Sequence, residues 1–186
     1  MNKVILLYGM PAAGKYTIAK MIADRHGCFL VDNHYIHDFI RPLISNVSKN
    51  EEYFLRAGNI LNELMEIIGV FHDKDKPVTY VFTLVIRDDE IGVIEAARYE
   101  KLAKAINGQF IPIALVPSYE TRKERCATEA RKQRRKISSV EKMDKVIGSN
   151  AKLLNIKHEN GLVLDTTNMS IEETFSAVEA HLEKFD

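Results

Sequence analysis

The chain has 186 residues, 46% of them hydrophobic, and its 26 basic side chains are balanced by 26 acidic ones. That length suits one domain with a sizeable core, and the balanced charge gives no global field to attract nucleic acid or an anionic membrane. Cys28 and Cys126 are the only cysteines; they form no ligand cluster and fit a reducing cytoplasm better than secretion. No run approaches the ~20 apolar residues of a membrane span, and the six-residue apolar run near the start lacks the cleavage site of a signal peptide.

Lys3-Val4-Ile5-Leu6-Leu7-Tyr8 reads as a strand, and Gly9-Met10-Pro11-Ala12-Ala13-Gly14-Lys15-Tyr16-Thr17 follows at once. Ile18, Ala19, Ile22 and Ala23 then recur at helical spacing. A helix is expected from Lys15 to about His26, with Gly27 as its left-handed cap. Strand, glycine-bounded turn and helix in this order are the setting in which G-x-x-x-x-G-K binds phosphate. Backbone N–H groups wrap the phosphates, the helix N-terminus adds positive potential, and Lys15 supplies a point charge. The Ser/Thr that should follow the lysine is Tyr16.

Cys28–Val31 is a second apolar run ending at Asp32, and residues 33–43 read as a loop leading into a short helix. Ser48-x-x-Glu51 is a capping box before a long amphipathic helix with Phe54, Ala57, Leu61, Leu64, Ile68 and Phe71 on one face. Val78–Val85 is the third strand. Asp88 is expected to cap the next helix, whose apolar side is Ile91, Ile94, Ala97, Leu102 and Ile106, and Asn107-Gly108 stops it. Phe110–Val116 is the fourth strand, and Ser118 caps a fifth helix leading into a basic segment that ends at Lys136. Ser138-x-x-Glu141 is another capping box, Leu162–Leu164 the fifth strand, and Ser170-x-x-Glu173 caps the last helix. Near-continuous apolar strands alternating with helices indicate a parallel sheet covered on both faces.

With the loop, Asn33-His34 after the second strand, the basic segment and Leu164-Asp165-Thr166-Thr167-Asn168, the chain resembles the small P-loop kinases. It is similar to adenylate, shikimate and gluconate kinases and chloramphenicol phosphotransferase, and more closely to shikimate-kinase-like P-loop ATPases. The resemblance covers essentially the whole chain. It implies a P-loop NTPase three-layer α/β sandwich over residues 1–186, with five parallel strands in the order 2-3-1-4-5. The phosphate loop would be residues 9–17, the substrate segment about 32–72 and a helical lid about 122–140. It also implies ATP and Mg²⁺ as cofactors, held by Gly9, Ala12, Ala13, Gly14, Lys15, Tyr16, Thr17, Arg125 and Thr167. Adenylate kinases carry glycine directly after the lysine and threonine next, and Thr17 matches that threonine. Tyr16 cannot place a compact hydroxyl on Mg²⁺, so phosphates, waters and another protein group must hold the ion, with Thr17 and Asp32 the candidates. Ala12 replaces a common loop glycine, which is tolerable if that position keeps negative φ.

Asp32, at the carboxyl end of a strand, can take the acceptor's hydroxyl proton or hold the magnesium water shell; its structural alternative is a helix-capping aspartate. His34 is a substrate contact by resemblance to gluconate kinases, and His37 is either a contact or a pocket wall. Arg41 and Arg56 can hold an anionic group or lie on a solvated helix face, while Thr83 and Arg87 are positioned to line the pocket. No strand-end aspartate matches a standard Walker B acid, and shikimate kinase's glycine-rich turn and acidic pair are missing, so shikimate itself is disfavoured. In the lid, Arg125 would stack on adenine, and Arg131 with Arg134 or Arg135 would close on the transferring phosphoryl group. Lys15, Asp32, Arg131 and Arg135 are therefore the expected catalytic residues.

The expected activity is transfer of the γ-phosphoryl of ATP to a hydroxyl or phosphate of an unidentified small molecule, by a cytoplasmic monomer or weak homodimer. The alternative is an ATP-binding regulatory module or slow ATPase, kept open by Tyr16 and the missing Walker B acid. A nucleic-acid role is disfavoured because the basic segment lacks interleaved aromatics.

Overall fold

A computed structural model describes residues 1–44, 51–126, 140–141 and 151–185. Its centre is β1 (Asn2–Tyr8), which pairs in parallel with β3 (Thr79–Leu84) on one side and β4 (Gly108–Leu115) on the other. β2 (Phe29–Asp32) extends the sheet beyond β3, and β5 (Leu162–Leu164) extends it beyond β4, also in parallel. The order is β2-β3-β1-β4-β5, as the resemblance implies. The chain works to one edge after β1 and to the other after β3, so the winding reverses beside the carboxyl end of β1. Open α/β sheets bind ligands at that switch point.

The alternation along β1 divides the core. Val4, Leu6 and Tyr8 face one layer, packed with residues of α3 (Glu51–Phe71) and α4 (Glu90–Ala105). Ile5 and Leu7 face the other, with α1 (Lys15–His26) and α6 (Ile171–Leu182). Burial on both faces is why β1 reads as an unbroken apolar run. Gly27 ends α1 at φ 64°, ψ 32°, in the left-handed conformation its position predicts.

Three expectations need correction. On α3 the deeply buried residues are Tyr53, Ala57, Leu61 and Met65, while Phe54 and Phe71 are 44% and 79% exposed. Leu64 and Ile68 remain partly buried against the core. On α4 the buried stripe is Gly92, Ala96, Tyr99, Leu102 and Ala103; Ile91, Ile94 and Ala97 face water. The cap is Asp89, whose Oδ1 accepts from the Gly92 N–H at 2.8 Å, rather than Asp88. The reason lies in the entry to α4. A Cβ at position 92 would stand 1.9 Å from the Arg87 carbonyl oxygen. Only glycine can face that carbonyl, and Gly92 therefore sets the helix's rotation.

The capping box at Ser170 is present, with Glu173 N–H to Ser170 Oγ at 3.1 Å and Ser170 N–H to Glu173 Oε2 at 2.8 Å. Those expected at Ser48 and Ser138 lie outside the described residues. Residues 33–43 are more helical than expected. α2 (His34–Ile40) starts directly after β2 and its neighbour Asn33, and a 3-10 turn (Arg41–Leu43) ends it.

Candidate active site

The loop after β1 is held between the ends of β3 and β4. Gly9 donates its N–H to the Leu84 carbonyl at 3.3 Å. A Cβ on Gly9 would lie 2.5 Å from the Leu115 carbonyl oxygen, so the β1 exit admits no side chain there. Gly14 caps α1 in the left-handed region at φ 94°, which turns the chain sharply into the helix. Its carbonyl accepts from the N–H groups of Thr17 and Ile18 at 3.0 and 3.2 Å. Ala12 has φ 66°, contrary to the negative φ that its replacement of glycine requires for comfort. Its methyl is buried and packs with Cys126 of α5 (Tyr119–Cys126).

Lys15 folds back along the loop, donating from Nζ to the carbonyls of Gly9 at 2.8 Å and Met10 at 3.1 Å. The fixed ammonium and the N-terminus of a 12-residue helix concentrate positive potential at one point.

Two strand positions away, roughly 10 Å by sheet spacing, Asp32 ends β2. It is 3% exposed. Register sets it opposite Thr83 of β3, whose hydroxyl donates to Asp32 Oδ1 at 2.8 Å; the His34 N–H reaches the same oxygen at 3.3 Å. Asp32 thus restrains the start of α2 and keeps a buried carboxylate at the sheet's carboxyl edge. His37 meets the Tyr53 hydroxyl through Nδ1 at 2.7 Å and lies edge-on to Phe54, with ring centroids 5.9 Å apart. Burial and then the Arg41 charge push its imidazolium below the ordinary value, against the opposing pull of Asp38 and Asp32. The neutral ring is favoured. Tyr16 forms a side-chain hydrogen bond with Tyr35 of α2, which joins the loop to the segment after β2.

On the far side of the loop, Arg125 donates from Nη2 to the carbonyls of Thr166 at 2.9 Å and Met169 at 3.3 Å. The Thr167 hydroxyl accepts from the Ser118 N–H at 2.9 Å and donates to Asp165 at 2.5 Å. Ser118 caps α5 as expected, accepting from the Thr121 N–H at 3.2 Å.

The remaining sequence candidates scatter. Arg41 stands beside His37, but Arg56 is 74% exposed and pairs with Glu52 at 2.6 Å along α3. Arg87 pairs with Asp89 at 3.1 Å and bridges Leu153 through its backbone. Arg131, Arg134 and Arg135 lie outside the described residues. Tyr35 and Tyr53 were not singled out in the sequence. Their only signal is that rings recur at positions 35 and 39 and at 53 and 54, on either side of residues 45–50.

No family model and no curated protein matches the chain. Solved structures do. A sugar kinase from Janibacter sp. matches with a TM-score of 0.64 and 17% identity over 98% of this chain and 95% of that one. The Mycobacterium tuberculosis APS kinase, solved with AMPPNP and APS, matches at 0.63 and 15% over 98% of both. A gluconokinase from Sinorhizobium meliloti matches at 0.62 and 13% over 98% and 93%. The chain carries the fold of the P-loop small-molecule kinases. Among the described residues no helix is long and apolar enough to cross a membrane.

Proposed function

We propose that the protein is an ATP-dependent phosphotransferase that moves the γ-phosphoryl group to a small-molecule hydroxyl or phosphate. The observation that carries this reading is the pairing of Lys15, on the loop at the end of β1, with the buried carboxylate of Asp32 at the same edge of the sheet. A positive cradle after β1 and a buried acid at the end of β2, two strands along the same edge, suit a phosphoryl donor on one side and an acceptor hydroxyl on the other. Phosphoryl transfer asks the protein mainly for positioning and charge neutralisation.

In this reading the loop amides and Lys15 bind the β- and γ-phosphates, and Arg125 with Thr167 lies on the nucleotide side. Asp32, oriented by Thr83, accepts the acceptor's hydroxyl proton. Thr17 and Asp32 are hard oxygen donors of the kind Mg²⁺ takes, and would hold the ion directly or through water. The ion, when bound, neutralises charge on the phosphate oxygens. Replacing Lys15 by Ala should weaken ATP binding at least about 100-fold, some 3 kcal/mol, by titration calorimetry, and abolish turnover. Retained turnover would sink the reading.

A regulatory nucleotide-binding module is the second reading. The Tyr16–Tyr35 bond favours it, since this residue is committed to α2 where a compact hydroxyl would serve Mg²⁺. ATP binding without phosphorylation of any acceptor would decide for it.

A further inference from the structure

We propose that the acceptor is an uncharged, hydroxylated ring compound that lays one ring face on the aromatic side chains of α2 and directs a hydroxyl to Asp32. The inference rests on the kinase reading above and assigns its substrate class.

The first observation is the density of rings beside the buried acid. Tyr35 and Phe39, four residues apart on α2, are 54% and 75% exposed, although large aromatic side chains ordinarily find cover. Tyr35 is steadied by Tyr16, and the Asp32 charge acts on its phenol. On the other side of α2, His37 is held by Tyr53 of α3, which fixes the helix that carries the two exposed rings. A ligand with an apolar face and a polar edge matches rings flanking a single deep carboxylate, as carbohydrate and nucleoside rings do.

The second observation is charge. Of the two arginines expected to hold an anion, Arg56 is turned toward Glu52, and Arg87, expected to line the pocket, is turned toward Asp89. His37 is favoured neutral, so it brings no imidazolium to the site. At His37 the Asp38 charge acts against that of Arg41, and Lys20, whose charge reaches Tyr35, pairs with Asp24 at 2.7 Å. Recognition of a carboxylate or phosphate draws on forked, charge-assisted donors, and a buried carboxylate nearby repels such a group.

The test compares matched acceptor pairs with ATP and Mg²⁺: a nucleoside against its 5′-monophosphate, and a hexose against its uronic acid. ADP formation and phosphorylated product are both measured. The expected result is a kcat/KM at least about tenfold higher for the uncharged member of a pair that is turned over, some 1.4 kcal/mol. Tyr35→Ala, at a half-exposed position that the core does not need, should raise the acceptor KM about tenfold, a typical loss for one stacking platform, whereas Tyr35→Phe, which keeps the ring and gives up only the bond to Tyr16, should leave it unchanged. Preference for the anionic member overturns the substrate class while the kinase reading stands. An unchanged acceptor KM in Tyr35→Ala overturns the ring placement. No phosphorylated product from any acceptor, with ATP still bound, overturns this inference and the kinase reading together.

Discussion

At the phosphate loop the contacts that shape the site run through backbone, whereas at the α2–α3 segment they run through side chains. Gly9 is wedged against the Leu84 and Leu115 carbonyls, Lys15 holds the Gly9 and Met10 carbonyls, and Arg125 holds those of Thr166 and Met169. Around Asp32 the partners are instead the Thr83 hydroxyl, the His37–Tyr53 pair and the Tyr16–Tyr35 pair. Backbone carbonyls are present whatever the residue, so the loop end constrains sequence only where a Cβ must be absent or a cation must reach. The other end changes character with each substitution. If the proposed activity holds, the loop is the general nucleotide end and the α2–α3 segment the particular acceptor end, a division that lets one scaffold take different acceptors.

Gly9→Ala would break the backbone half most severely. The added methyl meets the Leu115 oxygen, and neither strand can withdraw without losing its ladder, so a loss of about 3 kcal/mol is expected. A denaturant midpoint that barely moves would show the loop to be looser than its packing implies.

Thr83→Val tests the side-chain half. It keeps the volume but removes the hydroxyl from Asp32, at a cost of about 1–3 kcal/mol. Turnover should fall while ATP affinity holds; an equal loss of both would erase the division between the two ends.

A smaller effect follows from His37. Because its folded-state pKa lies below the ordinary 6.5, the unfolded chain takes up the proton first as pH falls. Stability should therefore decline below about pH 6.5, down through the lower folded-state value. His37→Gln, which can still bond Tyr53 but does not titrate, should show a flatter melting-temperature profile between about pH 7 and pH 5.

The smallest expected effect is at Ala12. Glycine there relieves a left-handed alanine worth about 1–2 kcal/mol. It loses about 0.8 kcal/mol of buried methyl and about 0.5–1 kcal/mol of chain entropy. The terms nearly cancel, so Ala12→Gly should leave the denaturant midpoint almost unchanged; a large gain would mean that the methyl's contact with Cys126 contributes little.

The five strands, the Lys15–His26 helix and the Ser170 cap were legible in the sequence, because each rests on local periodicity, a glycine or a short capping pattern, while the strand order followed from the resemblance to the small P-loop kinases. Tertiary structure decided which face of α3 and α4 turns inward. Both helices have enough apolar residues to face either way, and on α4 the Arg87 carbonyl, five residues before Gly92, settles it. The same distinction holds in the site. Gly9, Gly14 and Lys15 could be named from spacing alone, since the loop closes within nine residues. The partnership of Asp32 with Thr83 spans 51 residues and that of His37 with Tyr53 spans 16. Such pairs exist only once the sheet register and the α2–α3 packing have brought them together, because a hydrogen bond depends on distance in space and leaves no period in the chain.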